Sequence, residues 1–313
     1  MNNVFEHVTV LREEAVAGLN LKPDGVYVDC TLGGAGHSRL IAEQLGPSGT
    51  LIGLDQDQMA LDHAEERLVG VSCRLHLVKT NFRHIARAVK GLGFESVDGI
   101  LFDLGVSSPQ LDQGERGFSY HQEAPLDMRM DKEQELSAFQ VVNEWPEEEL
   151  VRILFEYGEE KFSRRIAKMI VKERSKAPIS TTLQLVDIIK QAVPAPARRT
   201  GPHPARRSFQ AIRIAVNDEL NAFRDALADS VGLLRPQGRI SVITFHSLED
   251  RICKQFFLEE AKGCVCPPTF PVCTCGQTPR LKIITRKPLL PTDKEIERNP
   301  RARSAKLRVA EKI

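Results

Sequence analysis

Apolar residues in the first third of the chain fall into short runs, separated by stretches in which they recur every three or four positions. Val26–Cys30, Thr50–Asp55, Leu75–Lys79 and Val97–Asp103 read as strands buried on both faces. Ser38–Leu45, Gln58–Leu68 and Phe82–Leu92 carry the helical period between them. This alternation predicts a parallel sheet with crossover helices.

After Asp103 the rhythm breaks. Only helical periodicity runs from Glu133 to Val193, where Phe162, Ile166, Met169 and Ile170 make an apolar stripe. Lys161, Arg165, Lys168, Lys172 and Lys176 line the opposite side. The segment VPAPARRTGPHPARR is too proline-rich for regular helix or central strand. One long helix is then predicted from Ser208, with the stripe Phe209, Ile212, Val216, Leu220, Phe223, Leu227, Val231 and Leu234. Strand Arg239–Phe245, helix Leu248–Lys262 and strands at Leu281–Thr285 and Lys306–Ala310 restore the α/β pattern. The reading is a class I, Rossmann-like seven-stranded sheet interrupted by an all-helical insertion. Residues 1–111 and 208–313 are assigned to the core and 112–207 to the insertion.

Composition adds a charge asymmetry to this outline. The net charge is +1, yet Asp112–Glu160 holds 14 acids against 4 bases, and Lys161–Arg213 holds 13 bases against 2 acids. Arg280–Ile313 adds 11 bases against 4 acids. Two basic blocks in a near-neutral chain point to a polyanionic partner, whereas a single such run reads equally well as a solvated helix face. No stretch approaches the roughly 20 apolar residues of a membrane span, and the acidic start is unlike a signal peptide, so a cytoplasmic protein is expected.

Candidate chemistry sits at the C-terminal ends of the first four strands, where open α/β sheets bind ligands. DCTLGGAGHS, residues 29–38, joins the first strand to a helix, so backbone N–H groups and small residues can meet a ligand. Asp55 ends the second strand, 22 residues beyond Gly33, and can accept both hydroxyls of a ribose. Phe82 follows the third strand and can flank an adenine, and Asp103 ends the fourth. Loop, helix and acid alone also fit a dinucleotide-dependent oxidoreductase or a plain turn. The G-x-G-x-x-G spacing is missing, however, because the loop reads Gly33-Gly34-Ala35-Gly36.

DLGVSSPQLD then places Ser107, Ser108, Pro109 and Gln110 where amino-methyltransferases carry a D/N/S-P-P-Y/F motif. The lone pair of an exocyclic base amine is conjugated with the ring. The site must therefore accept hydrogen bonds from that amine and hold it in line with a methyl donor. Ser108 and the carbonyls flanking Pro109 suit this task, so Ser108 is the catalytic candidate, against a simple Ser-Pro turn. Methylation at pyrimidine carbon 5 needs a cysteine nucleophile, and no cysteine lies between Cys73 and Cys253. A non-catalytic RNA-binding protein on the same scaffold would have no reason to keep Asp55, Asp103 and the S-S-P segment together.

HVTVL, DCTLGGAGHS, LDQD, GVSSPQLD, ERGFS, PLDMRM, YGEE, RSFQAIRIAVNDEL, TFHSLEDR and NPRARSAKLRVAEK run nearly end to end. On these motifs the chain closely resembles the bacterial 16S rRNA (cytosine-N4) methyltransferases. The resemblance implies S-adenosyl-L-methionine as methyl donor, and 16S rRNA of the small ribosomal subunit as partner. The implied target is the N4 amine of a decoding-centre cytosine. The resemblance puts cofactor contacts on Gly34, Ala35, Gly36, His37, Asp55, Phe82, Asp103 and Gln110, and substrate recognition on the insertion. His37 on residue grounds alone also reads as a helix-start histidine. His246 is a candidate base contact or a local hydrogen-bonding residue, and Arg129 and Arg213 are candidate phosphate contacts or ordinary ion pairs.

No metal is assigned to this site. Separately, Cys264, Cys266, Cys273 and Cys275 form C-x-C-x6-C-x-C in a proline-bearing loop. In a reduced protein that cluster suggests a tetrathiolate zinc site, with redox-labile thiols or a disulfide as the alternatives. Some members of the family that the chain resembles lack these cysteines, which implies that methyl transfer does not need them.

Overall fold

The computed structural model describes residues 9–199, 201–264, 266–267, 270–272 and 274–313, with the side chains of Ser108 and Pro109 outside that description. Two compact units emerge: the residues up to Gly105 together with Asn221–Ile313, and Val106–Leu220.

The first unit is built on seven strands: β1 Val26–Asp29, β2 Thr50–Asp55, β3 Arg74–Lys79, β4 Val97–Asp103, β5 Leu234–Thr244, β6 Leu281–Ile283 and β7 Lys306–Lys312. Their order is β3-β2-β1-β4-β5-β7-β6. β1 to β5 are parallel and β7 runs antiparallel to both β5 and β6, which is the class I Rossmann-like arrangement. Alternate side chains serve opposite faces. Val28, Ile52, Ile100 and Val242 pack with Ile85, Phe223, Leu227 and Phe257 on one face. Tyr27, Leu51, Leu101, Ile243 and Val309 pack with Val16, Leu19, Ile41 and Leu61 on the other. β3 departs from the expected burial on both faces: as an edge strand it is only half-buried.

The second unit is helical. Its main elements are Ala138–Glu144, Glu147–Glu156, Ser163–Arg174, Thr182–Ala192 and Arg206–Asn217. Leu126, Met128, Ile153, Leu154, Ile166, Ile170, Leu185 and Ile189 form its core. Phe209, Ile212 and Val216 join that core, so the unit runs from Val106 to Leu220 rather than over the expected 112–207. The single helix expected from Ser208 is broken. Asp218 takes a left-handed conformation (φ 47°) between Arg206–Asn217 and Glu219–Leu233.

The proline-rich segment also differs from expectation, with a helical turn at Ala195–Arg199. Pro196 is its second residue, where no intrahelical N–H bond is required. Among the described residues no helix is long and apolar enough to cross a membrane.

Candidate functional site

Loop 30–35 links β1 to the helix Gly36–Gln44 and is held tightly from behind. Gly33 (φ 45°) and Ala35 (φ 55°) both adopt left-handed backbone. The Ala35 N–H donates to the Leu32 carbonyl at 2.6 Å, and the Gly34 carbonyl accepts from Arg67 Nη1 at 2.9 Å. At Gly36 an added Cβ would run into the Thr9 hydroxyl, so no side chain fits there without displacing it. The turn is thereby fixed before any ligand arrives.

Three carboxylates end adjacent strands beside this loop. Asp29 closes β1 and is buried; its Oδ2 accepts from the Ser38 hydroxyl at 2.7 Å and its Oδ1 from the Thr31 N–H at 3.1 Å. Thr31 Oγ1 in turn accepts the Asp103 N–H at 2.7 Å, tying β1 to the end of β4. Asp55 closes β2, accepting from the Gly33 N–H at 3.0 Å and from the Asp57 N–H at 2.9 Å. The Gln56 N–H also bonds to this carboxylate, and its four lone-pair sites keep room for a further donor.

Burial pushes the Asp29 carboxyl up to about 7 against the opposing hydrogen bonds of Ser38 and Thr31, with the Asp55 charge adding to the rise. Burial likewise raises Asp55 to about 6. Asp103 is held well above the usual carboxylate range by burial, and further by the charges of Asp29 and Glu249.

None of these three acids has a Lys or Arg ion-pair partner among the described residues. The nearest cationic candidate is His37. Its Nε2 faces the Val10 carbonyl at 3.1 Å, and its Nδ1 lies 3.5 Å from Asp103 Oδ2. A carbonyl can only accept, so Nε2 carries the proton that meets Val10. Asp103 Oδ1 is buried with no hydrogen-bond partner among the described residues. A strand edge with surplus negative charge and an orphaned acceptor suits a ligand that brings N–H donors or positive charge.

The other residues named from sequence fall as follows. Phe82 opens a short 3₁₀ turn after β3, and its half-buried ring meets Phe102 edge-on at 5.8 Å between centroids. Gln110 belongs to the helical unit, where its Oε1 accepts the Ser107 N–H at 3.1 Å. The Ser108 backbone starts the helix Ser108–Asp112, and its side chain lies outside the described residues.

His246 follows β5. Its Nε2 is 3.1 Å from Glu249 Oε1, and it caps the helix Ser247–Ala261. Arg129 is engaged by Asp127 at 2.6 Å and Arg213 by Glu219 at 2.8 Å, the ion-pair reading of both. Thr31, Ser38 and Glu249 are functional positions that residue-type reasoning passed over. Glu249 Oε2 takes the N–H groups of Phe245 and His246, fixing the end of β5.

One face of the helical unit is basic. A pocket of about 420 Å³ is lined by Arg152, Phe155, Lys161, Phe162, Arg164 and Arg165, with the Phe155 ring 65% exposed. Arg152 there pairs with Glu149 and Glu156. The C-terminal basic block is partly neutralised too. Lys306 and Arg308 share Asp250, and Arg280 pairs with Glu260.

The model of the MraW methylase family matches residues 4–313. The chain belongs to that family. It is a methyltransferase, and its cofactor is S-adenosylmethionine. Curated relatives include a protein of Brevibacillus brevis, 65% identical over 99% of this chain and 98% of its own length. Another, from a Paenibacillus species, is 60% identical over 99% of this chain and 100% of its own. Both are named ribosomal RNA small subunit methyltransferase H. Among solved structures, an rRNA methylase of Streptococcus thermophilus aligns with 96% of this chain and 93% of its own at 10% identity, with a TM-score of 0.43.

Proposed function

We propose that this methyltransferase modifies the exocyclic N4 amine of a decoding-centre cytosine in 16S rRNA, by direct in-line transfer, with the small ribosomal subunit as its partner. The names of the relatives support the rRNA substrate. The GVSSPQLD segment supports an amine target. The observation that carries the reading is the strand edge of Asp29, Asp55 and Asp103. It lacks a compensating Lys or Arg among the described residues and is fixed by hydrogen bonds, with one orphaned buried oxygen.

The residues present fit the cofactor. Asp55 accepts ribose hydroxyls on its remaining lone pairs, and Phe82 flanks the adenine. Gly34, Ala35 and Gly36 let the ligand approach the backbone, and Asp103 Oδ1 takes an ammonium N–H. His37 steadies Asp103 from behind, and Gln110 is the remaining cofactor residue. When bound, S-adenosylmethionine supplies an electrophilic methyl group on a positively charged sulfur. The orientation of the amine falls to Ser108 and the carbonyls flanking Pro109, which accept its N–H bonds and leave the lone pair aimed at the donor. The cytosine must leave its stack to be reached. The exposed basic face of helix Ser163–Arg174 grips phosphates.

Deleting the gene and analysing rRNA nucleosides by mass spectrometry tests this reading. N4-methylated cytidine at the decoding centre should disappear and return with the wild-type chain. The Asp55→Ala chain should fail to restore it, while binding RNA nearly as well as wild type. Persistence of the mark in the deletion strain would refute the substrate, and full restoration by Asp55→Ala would refute the ribose assignment.

A further inference from the structure

Residues 262–280 connect the helix Ser247–Ala261 to β6 with no helix or strand among the described residues. No described residue of this loop enters any of the three apolar clusters, and Phe270 and Val272 are 52% and 70% exposed. A loop of this length without a core needs another source of order. Its base is closed by the Arg280 N–H donating to the Glu260 carbonyl at 2.8 Å. Its interior holds thiols.

The Sγ atoms of Cys264, Cys266 and Cys275 all lie within 4.8 Å of one another, and Cys264 and Cys275 are 3.8 Å apart. In a tetrahedral zinc thiolate with Zn–S near 2.3 Å, neighbouring sulfurs are separated by about 3.8 Å. A disulfide, by contrast, needs about 2.05 Å between sulfurs. The backbone also behaves as it does around bound thiolates. The Cys266 N–H points at Cys264 Sγ and the Thr274 N–H at Cys266 Sγ, both at 3.4 Å. Each interaction favours the deprotonated sulfur that a metal requires.

We infer that Cys264, Cys266 and Cys275 form a structural zinc site. Cys273, the remaining member of the C-x-C repeat, lies outside the described residues. Three thiols bind one Zn²⁺ and release three protons, with no redox step. The metal orders the loop and does not act on substrate.

The sheet agrees. Leu281, where the loop re-enters β6, pairs with Lys312, and the neighbouring Glu311 pairs with Arg239, whose partner in β4 is Gly99 near that strand's start. The loop therefore rises from the edge opposite the strand ends that carry Asp29, Asp55 and Asp103.

Full-length protein purified without chelator is analysed for metals by mass spectrometry. About one zinc per chain is expected. Replacement by cobalt should give thiolate charge-transfer bands and the intense visible bands of a tetrahedral site. The double variant Cys264→Ser/Cys275→Ser should lose the zinc, and the cobalt spectrum of the wild-type chain stands if that variant does not fold. Chelation should lower the melting temperature of the wild-type protein while kcat for methyl transfer, assayed below that temperature, is unchanged. Less than about 0.2 equivalents of zinc, iron in its place, or two disulfides among the four cysteines would overturn the assignment.

Discussion

Asp29, Asp55 and Asp103 carry the proposed cofactor site, and their protonation gives its most direct consequences. The Asp29 carboxyl rises from 3.8 to about 7 on folding and Asp55 to about 6. The ligand-free folded chain therefore binds more protons than the unfolded chain between those limits. The stability contributed by these two groups is fully present below about 4 and is lost as pH rises through about 6 to 7. A cationic donor inverts this preference, because it favours the ionised carboxylates. Affinity for S-adenosylmethionine should tighten as pH rises from about 5 to about 7, with net proton release visible as a buffer-dependent binding enthalpy. A flat calorimetric profile across that window would count against an acidic cofactor edge.

At the scale of elements, β2 and β4 were legible to the residue, because short apolar runs closed by Asp55 and Asp103 have few other readings. The break at Asp218 was not. The stripe from Phe209 to Leu234 keeps helical spacing across it, and the information that ends the helix is held in tertiary contacts. Asn217 is buried; its Nδ2 donates to the Met128 carbonyl and its Oδ1 accepts the Met130 N–H, both at 2.8 Å. Arg213 and Glu219 then close the corner.

This pairing also explains why PLDMRM and the AVNDEL segment occur in one motif set: they are two halves of one joint. Asn217→Ala leaves two buried backbone groups unsatisfied and should cost about 3 kcal/mol of stability, read by urea denaturation. A loss under about 0.5 kcal/mol would show that the joint carries no weight. The acids and glycines of the candidate site are named from sequence. Its supports at Thr31, Ser38 and Glu249 are not, since a hydroxyl or carboxylate that positions another residue leaves no spacing signal of its own.

Across the whole molecule, charge divides the labour. The three strand-end acids lie in the sheet unit, whereas Lys161, Arg164, Arg165 and Lys168 stand exposed in the helical unit. Replacing Arg164, Arg165 and Lys168 together by Ala should weaken rRNA binding. The slope of log affinity against log salt should become shallower by about 1 for each phosphate that the variant no longer neutralises. S-adenosylmethionine affinity should stay unchanged. An unaltered salt slope would move the RNA footprint elsewhere.

The central claim is methyl transfer to one amine. Its most direct test is incubation of small subunits lacking the modification with the purified chain and methyl-tritiated S-adenosylmethionine, followed by digestion to nucleosides. The label is predicted in N4-methylcytidine. Label in another nucleoside, or no transfer at all, would contradict it.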